Sequence, residues 1–170
     1  EKELGVALID IGGGTTDLAI FIDGAIVHTS VLAVGGHQLT ADIAYGLRSP
    51  HSEAERIKHK HGCAMVAMFG EDEIMEVPSV GGRPARSVKR QSLCAVIEPR
   101  VEEIFMLVRR EIEKNEYEDK LASCAVITGG STILEGMPER AEEVLGRPVR
   151  RGSPMGICGV VDVVRAPSYA

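Results

Sequence analysis

The sequence contains no CxxC pair and no Cys/His pair at metal-ligand spacing. Its four cysteines, Cys63, Cys94, Cys124 and Cys158, are scattered. That spacing excludes the common zinc and dithiol motifs and reads as small buried hydrophobes in a reducing compartment. An excess of positive charge is missing too: 19 Lys and Arg stand against 25 Asp and Glu, for a net charge of −6. Bulk electrostatics therefore give no reason to expect nucleic-acid binding. No segment approaches the ~18 consecutive apolar residues of a membrane span, and no secretory signal opens the chain. Repeats and low-complexity tracts are absent. So is an initiating methionine: EKELG runs straight into an apolar segment, which points to a piece excised from a longer protein.

What is present is a globular composition. The 170 residues are 44% hydrophobic and 26% charged, enough for one domain, or two small lobes, around a real core. GVALIDI, TDLAIFI and AIVHTSVLAV read as three strands, with a hairpin signal at Asp23-Gly24, so residues 5–34 form an antiparallel meander. The period then changes. Leu39, Ile43 and Leu47 recur at four-residue steps after Gly35-Gly36, which predicts a helix. A second, short helix follows in SPHSEAERIKHKHG, with Ser52 as N-cap, Glu55 completing a capping box and Gly62 as its stop. CAMVAMFG and EIMEVPSV look strand-like, and GGRPAR reads as a turn or loop.

An amphipathic pattern through Leu93, Ile97, Val101, Ile104, Val108 and Ile112 is interrupted by Pro99. A proline ring removes a helix donor and clashes one turn back, so the expectation is a short helix to about Ile97 and a longer one from Pro99. CAVITGGS is strand plus glycine turn. PERAEEVLG is a helix opened by Pro138 and closed by Gly146, and RPVRRG leads into a last short strand. Most of Met65, Met68, Met75 and Met106 are expected in the core. The organisation expected is an α/β base at 1–48 and 121–170, carrying a small α+β lobe inserted at 49–120.

The chemistry concentrates in the glycine turns. In DIGGGTTD, Asp10 ends one strand, and Gly12, Gly13 and Gly14 turn into the next. Successive glycines let several backbone N–H groups converge on an anion, with Thr15 and Thr16 adding hydroxyl donors. A carboxylate beside a polyphosphate is tolerated when it faces a divalent cation, so Asp10 suits Mg²⁺ held through water. The alternative is a tight hairpin that needs glycine for geometry alone. TGGS repeats the strand–glycine–hydroxyl arrangement at Gly129, Gly130 and Ser131. EAERIK places Glu55 and Lys58 on one helix face, where spacing by itself favours a plain surface ion pair. There is no GxxxxGK[ST], and this glycine triplet opens a hairpin, whereas a dinucleotide fingerprint opens a helix.

In their order along the chain, DIGGGTTD, VGGHQLTADIA, EAERIK and ITGGS resemble the second half of the actin, sugar-kinase and chaperone ATPase superfamily. Within it, SPHSEAERIKHKHGCA, EVPSVGGRPARSVKRQSL, VIEPRVEEI and ITGGSTILEGMPERAEEVLGRPVRRGSP resemble the FtsA family of bacterial division proteins over essentially the whole chain. The resemblance implies an α/β fold: an RNase H-like actin-type ATPase subdomain (IIA, 1–48 plus 121–170) with a small inserted α+β lobe (IIB, 49–120). It implies ATP and Mg as cofactors. Gly12, Gly13, Gly14 and Thr15 would hold the β- and γ-phosphates, Glu55 and Lys58 would edge the ribose and base, and Gly129, Gly130 and Ser131 would form the adenosine loop.

The resemblance also implies partners: the C-terminal tail of the division tubulin FtsZ, further copies of the protein in actin-like filaments, and other divisome proteins. The place would be the cytoplasmic face of the membrane at the division site. The basic run of Arg83, Arg86, Lys89, Arg90 and Arg100 is then the candidate surface for an acidic tail. From the residues alone it is an ordinary solvated face. The family's first phosphate loop, catalytic acid and membrane-anchoring C-terminal amphipathic helix have no counterpart here. Phosphates clamped from one side lose contacts, so the chain alone is expected to bind ATP weakly and to hydrolyse it negligibly. Two alternatives share the fold: a pilus-assembly ATP module and a sugar- or acetate-kinase-like phosphotransferase. The VPSVGGRP stretch argues against the first, and no substrate-and-base constellation supports the second.

Overall fold

The computed structural model describes residues 5–68, 70, 73–79, 81, 83–121 and 124–152. Strands β1 (Val6–Ile11), β2 (Thr16–Ile22) and β3 (Ala25–Leu32) form the expected meander. Strands β6 (Cys124–Thr128) and β7 (Val149–Arg151) join it in a five-stranded sheet of order β3-β2-β1-β6-β7. The first two pairings are antiparallel, while β1–β6 and β6–β7 are parallel. β1 is therefore central, hydrogen-bonded on both edges. This explains why its sequence, VALIDI, is apolar almost throughout, whereas edge strand β3 is mostly exposed or half-buried. Strands β4 (Ile74–Val77) and β5 (Arg86–Lys89) make a separate two-stranded ribbon.

Among the described residues, four α-helices pack with the sheet: α1 (Gly36–Gly46), α2 (His51–His61), α3 (Arg90–Lys114) and α4 (Met137–Leu145). Ala7, Ile9 and Ile11 of β1 share a core with Leu39 and Ile43 of α1 and with Ile104, Phe105 and Val108 of α3. Burying each of these large apolar side chains is worth about 1.5–3 kcal/mol. Met75 and Val77 of the ribbon and Ile57 of α2 belong to the same buried cluster. So does the whole apolar face of α3, although it lies within the 49–120 stretch expected as an insert.

Several local expectations hold. Leu39, Ile43 and Leu47 are buried, Gly62 and Gly146 end α2 and α4, and Pro138 sits in the first turn of α4. Others are corrected. Pro99 does not divide the helix: α3 is one element of 25 residues with the proline inside it. Its buried face, from Leu93 through Ile112, outweighs the one ladder bond that the proline cannot donate. Ser52 does not cap α2. Pro50 occupies the N-cap, no side chain caps the end, and Glu55 bonds elsewhere. CAMVAMFG is not a strand but a turn of 3-10 helix at Val66–Met68, preceded by a lone bridge from Cys63 to Glu135. Arg86 of GGRPAR already opens β5.

Of the four methionines, Met75 is buried, Met65 is half-buried, and Met68 and Met106 are exposed, which corrects the core expectation for most of them. Cys63 and Cys94 are buried as expected and Cys124 is half-buried. Burial pushes the Cys94 thiol up to about 11, which removes it as a nucleophile. Cys158 and the segment after RPVRRG lie outside the described residues.

Candidate functional site

The parallel strands β1 and β6 lie side by side, and the chain leaves them toward opposite edges of the sheet: β1 toward β2, β6 toward β7. A crevice must open beyond their carboxyl ends at such a switch point. The Gly12–Gly14 turn and the Gly129–Ser131 turn are the residues that follow those ends. Here the structure has a cavity of about 520 Å³, with walls that include Gly12 and Gly13, Gly36 and His37, Glu55 and Lys58 of α2, and Gly130 and Ser131.

The first turn is held by its carbonyls. Gly12 O accepts from Gly36 N at 2.9 Å and from Ser131 Oγ at 3.0 Å, and Gly13 O accepts from His37 N at 2.7 Å. Gly12 N donates back to Thr15 O at 2.9 Å. The N–H groups of Gly13, Gly14 and Thr15 have no partner among the described residues. Three successive free amides in a tight turn form the concavity that takes an anion. Glycine is required for close approach: a Cβ on Gly36 would stand 2.5 Å from Ser131 Oγ. Gly129 has φ +91, and a Cβ there would stand 2.3 Å from Asp10 Oδ1 and 2.5 Å from Ile11 O.

Thr15 and Thr16 part company. Thr15 is exposed and its hydroxyl donates to Asp17 Oδ2 at 3.0 Å. Thr16 is fully buried and donates to Val34 O at 2.8 Å, so it braces the turn from beneath. Neither Gly14, Thr15, Thr16, Asp10 nor Gly129 lines the cavity itself. Asp10 sits opposite Asp17 across the β1–β2 pair and opposite Thr128 across β1–β6. Burial and the neighbouring Asp17 carboxylate raise its pKa, the penalty a divalent cation would relieve. Among the described residues no third His, Cys, Asp or Glu joins this pair, and so sparse a set suits Mg²⁺, which completes its shell with waters and phosphate oxygens.

Glu55 and Lys58 are more than a surface pair. Lys58 is 6% exposed, and Nζ donates to Gly36 O at 3.1 Å, Thr40 Oγ1 at 2.8 Å and Glu55 Oε2 at 2.9 Å. An ammonium has three donors, and all three are used. Lys58 therefore ties α2 to the first turn of α1, and through Gly36 to Gly12. Glu55 also meets the Thr40 hydroxyl, and its Oε1 pairs with His59 Nε2 at 2.9 Å. Burial acts to raise the Glu55 carboxyl, but the Lys58, Thr40 and His59 contacts outweigh it and hold the group at about 2. It stays an acceptor on the cavity wall across the physiological range.

The basic run does not assemble into one face. Arg90 lines the cavity, and its guanidinium donates to His61 O at 2.9 Å, Glu73 at 2.9 Å and Glu135 at 3.0 Å. Arg100 grips Asp42 of α1 with Nε at 2.7 Å and Nη2 at 3.2 Å, and also Glu103. Arg86 reaches back to Leu47 O. Arg83 and Lys89 are exposed. The sequence reading passed over His37, Lys60, Ile133, Leu134 and Glu135 of the cavity wall. They lie within VGGHQLTADIA, SPHSEAERIKHKHGCA and ITGGSTILEGMPERAEEVLGRPVRRGSP, beside the glycine pairs and EAERIK, with no chemical pattern of their own.

The family model described as "Cell division protein FtsA" matches residues 7–170. The chain belongs to the FtsA family. The FtsA of Pseudomonas aeruginosa is 51% identical over 170 residues, covering 100% of this chain and 41% of the relative. The FtsA of Escherichia coli K12 is 45% identical over 177 residues, covering 100% of this chain and 42% of the relative. This chain thus spans about two fifths of the length of the FtsA proteins it matches. Among solved structures, MreB 5 of Spiroplasma citri bound to AMPPNP superposes with a TM-score of 0.71 at 22% identity, over 88% of this chain and 48% of that one. The MamK double helical filament gives 0.67 at 14% identity, over 95% and 52%. The fold is that of the actin-like ATPases, as the glycine turns implied.

Proposed function

We propose that this chain is the nucleotide-binding half of an actin-like cell-division scaffold, with ATP and Mg²⁺ as its ligands. The observation that carries the reading is a turn whose amides at Gly13, Gly14 and Thr15 have no partner among the described residues, and whose Gly13 lines a cavity of about 520 Å³ also walled by Glu55, Gly130 and Ser131. The amides would take phosphate oxygens. The Glu55 carboxylate would accept from the ribose hydroxyls, and Gly130-Ser131 would let the adenosine approach the backbone. Asp10 would face Mg²⁺ through water. Lys58, with its donors spent, would hold the loops in register without touching ligand. Similar folds with AMPPNP or ADP bound support the ligand class, and a filament-forming similar fold supports self-association.

In the full-length protein the scaffold would tether FtsZ filaments to the cytoplasmic face of the membrane at the division site. Residues 49–120 would supply the docking lobe and Arg83, Arg86 and Lys89 its exposed charge. Gly13→Asp places a carboxylate among the phosphate-binding amides. ATP binding to the full-length protein, measured by calorimetry, is expected to vanish in that variant while the unfolding midpoint changes little. Unaltered ATP affinity would remove the cradle reading.

A further inference from the structure

His37 lies within VGGHQLTADIA without a role assigned to it there, yet it stands at the phosphate loop. It occupies the first turn of α1, is exposed, and lines the cavity. Its backbone N–H donates to Gly13 O at 2.7 Å, which fixes the two residues side by side. Its ring lies over the face of Gly13: a Cβ built there would stand 2.9 Å from Nε2 and 3.1 Å from Cε1. The empty position of the glycine side chain is thus filled by the imidazole.

The ring nitrogens have no hydrogen-bond or ion-pair partner among the described residues. Among the described residues of the wall Lys60 shares this freedom, but it lies on α2, whereas His37 is bonded to the phosphate turn itself. Lys58 spends its donors on Gly36, Thr40 and Glu55, Arg90 is held by His61, Glu73 and Glu135, and His59 is paired with Glu55. The free imidazole adjoins the free Gly13 amide. An anion seated on that amide lies beside a ring with an N–H to donate.

We infer that His37 is a direct phosphate contact of the bound nucleotide, so that the site distinguishes nucleotides by the phosphates they carry. The inference rests on the nucleotide reading above and deepens it. A charge-assisted hydrogen bond of this kind supports about tenfold in affinity.

The test is ATP, AMP and adenosine binding to the full-length protein, with wild-type, His37→Ala and His37→Gln compared. His37 is exposed, and equal unfolding midpoints establish that each variant folds. The Ala variant is expected to lose about tenfold for ATP and little for adenosine, and the Gln variant, which keeps a donor, to recover part of the loss. In ¹⁵N spectra of labelled histidine, ATP is expected to shift the His37 ring resonances and adenosine to leave them in place. Gly13→Ala pushes the ring aside, so its effect on ATP is expected to shrink in the His37→Ala background, a non-additivity that a double-mutant cycle reads. Equal losses for ATP and adenosine, or none for either, would overturn the contact while wild-type binding left the nucleotide reading standing. A wild-type protein that binds no nucleotide at all would overturn both.

Discussion

Gly12 and Ser131 lie 119 positions apart in sequence, and Ser131 Oγ still donates to Gly12 O at 3.0 Å. Arg90 and Arg100 lie on one helix, yet the first closes a wall of the cavity and the second grips Asp42 of α1, which does not line it. The glycine loops gather distant residues, and the basic run disperses neighbouring ones. The difference has a simple origin. Glycines mark where backbones must pass within van der Waals distance, and strand pairing then sets which backbones these are. Charged side chains are long and find the nearest acid, so their order along a helix says little about the face they form.

The largest expected effect is on the gathering side. Gly129→Ala forces a Cβ against Asp10 and Ile11 at φ +91 and should destabilise by about 3 kcal/mol or more. A Cβ on Gly14 meets no described atom within 4 Å, so Gly14→Ala should move stability by about 0.5 kcal/mol or less. Urea midpoints of the two variants compare them directly. Equal midpoints would mean that the two glycine turns are not built against each other.

A middle-sized effect belongs to the strut between helices. Lys58→Met leaves Gly36 O, Thr40 and Glu55 without their shared donor and should cost about 1–3 kcal/mol at pH 7. The pH dependence has a definite sign. Glu55 is held at about 2 against an ordinary 4.5, so it contributes stability above pH 4.5 that is lost as the pH falls toward 2. Its carboxylate is partly open to solvent, which keeps that contribution modest. In the Lys58→Met protein, with the Thr40 and His59 contacts still in place, this part of the acid slope should shrink, and unfolding midpoints at pH 7 and pH 3 would reveal it.

The smallest effects divide the basic run. Arg100→Glu breaks the α1–α3 fork and should cost about 1 kcal/mol, recovered in part by adding Asp42→Arg. Arg83 is exposed, with no partner among the described residues. Arg83→Glu should leave stability within about 0.5 kcal/mol while weakening the binding of an acidic FtsZ tail peptide at low salt. If only Arg100→Glu weakens peptide binding, and Asp42→Arg restores it, the helix tie matters and the free basic face does not.

Much of the fold was legible in the sequence. The meander followed from short apolar runs and Asp23-Gly24, α1 from Leu39, Ile43 and Leu47, and α4 from Pro138 and Gly146. These signals are local, and the structure left them in force. The errors were also local rules, overridden from a distance. Pro99 should break a helix, but α3 buries Leu93 through Ile112 against the sheet and α1. Ser52 and Glu55 have capping spacing, but Glu55 is claimed by Lys58 and Thr40. At the site, Gly12, Gly13, Glu55, Lys58, Gly130 and Ser131 were all named from motifs, and all line one cavity. His37 and Glu135 carried no pattern of their own.

The sequence by itself determined the parts list: where backbones turn, which apolar runs become strands, and which acid and hydroxyl groups flank the glycines. Backbone dihedral preference and hydrophobic period act over a few residues and are written locally. Only the tertiary structure decided how each part is used. The parallel pairing of β1 with β6 brings Gly12 to Ser131. Burial turns Lys58 from a surface charge into a strut, and the missing Cβ of Gly13 leaves room for the His37 ring. Those outcomes depend on distances between residues far apart in the chain, which packing alone sets.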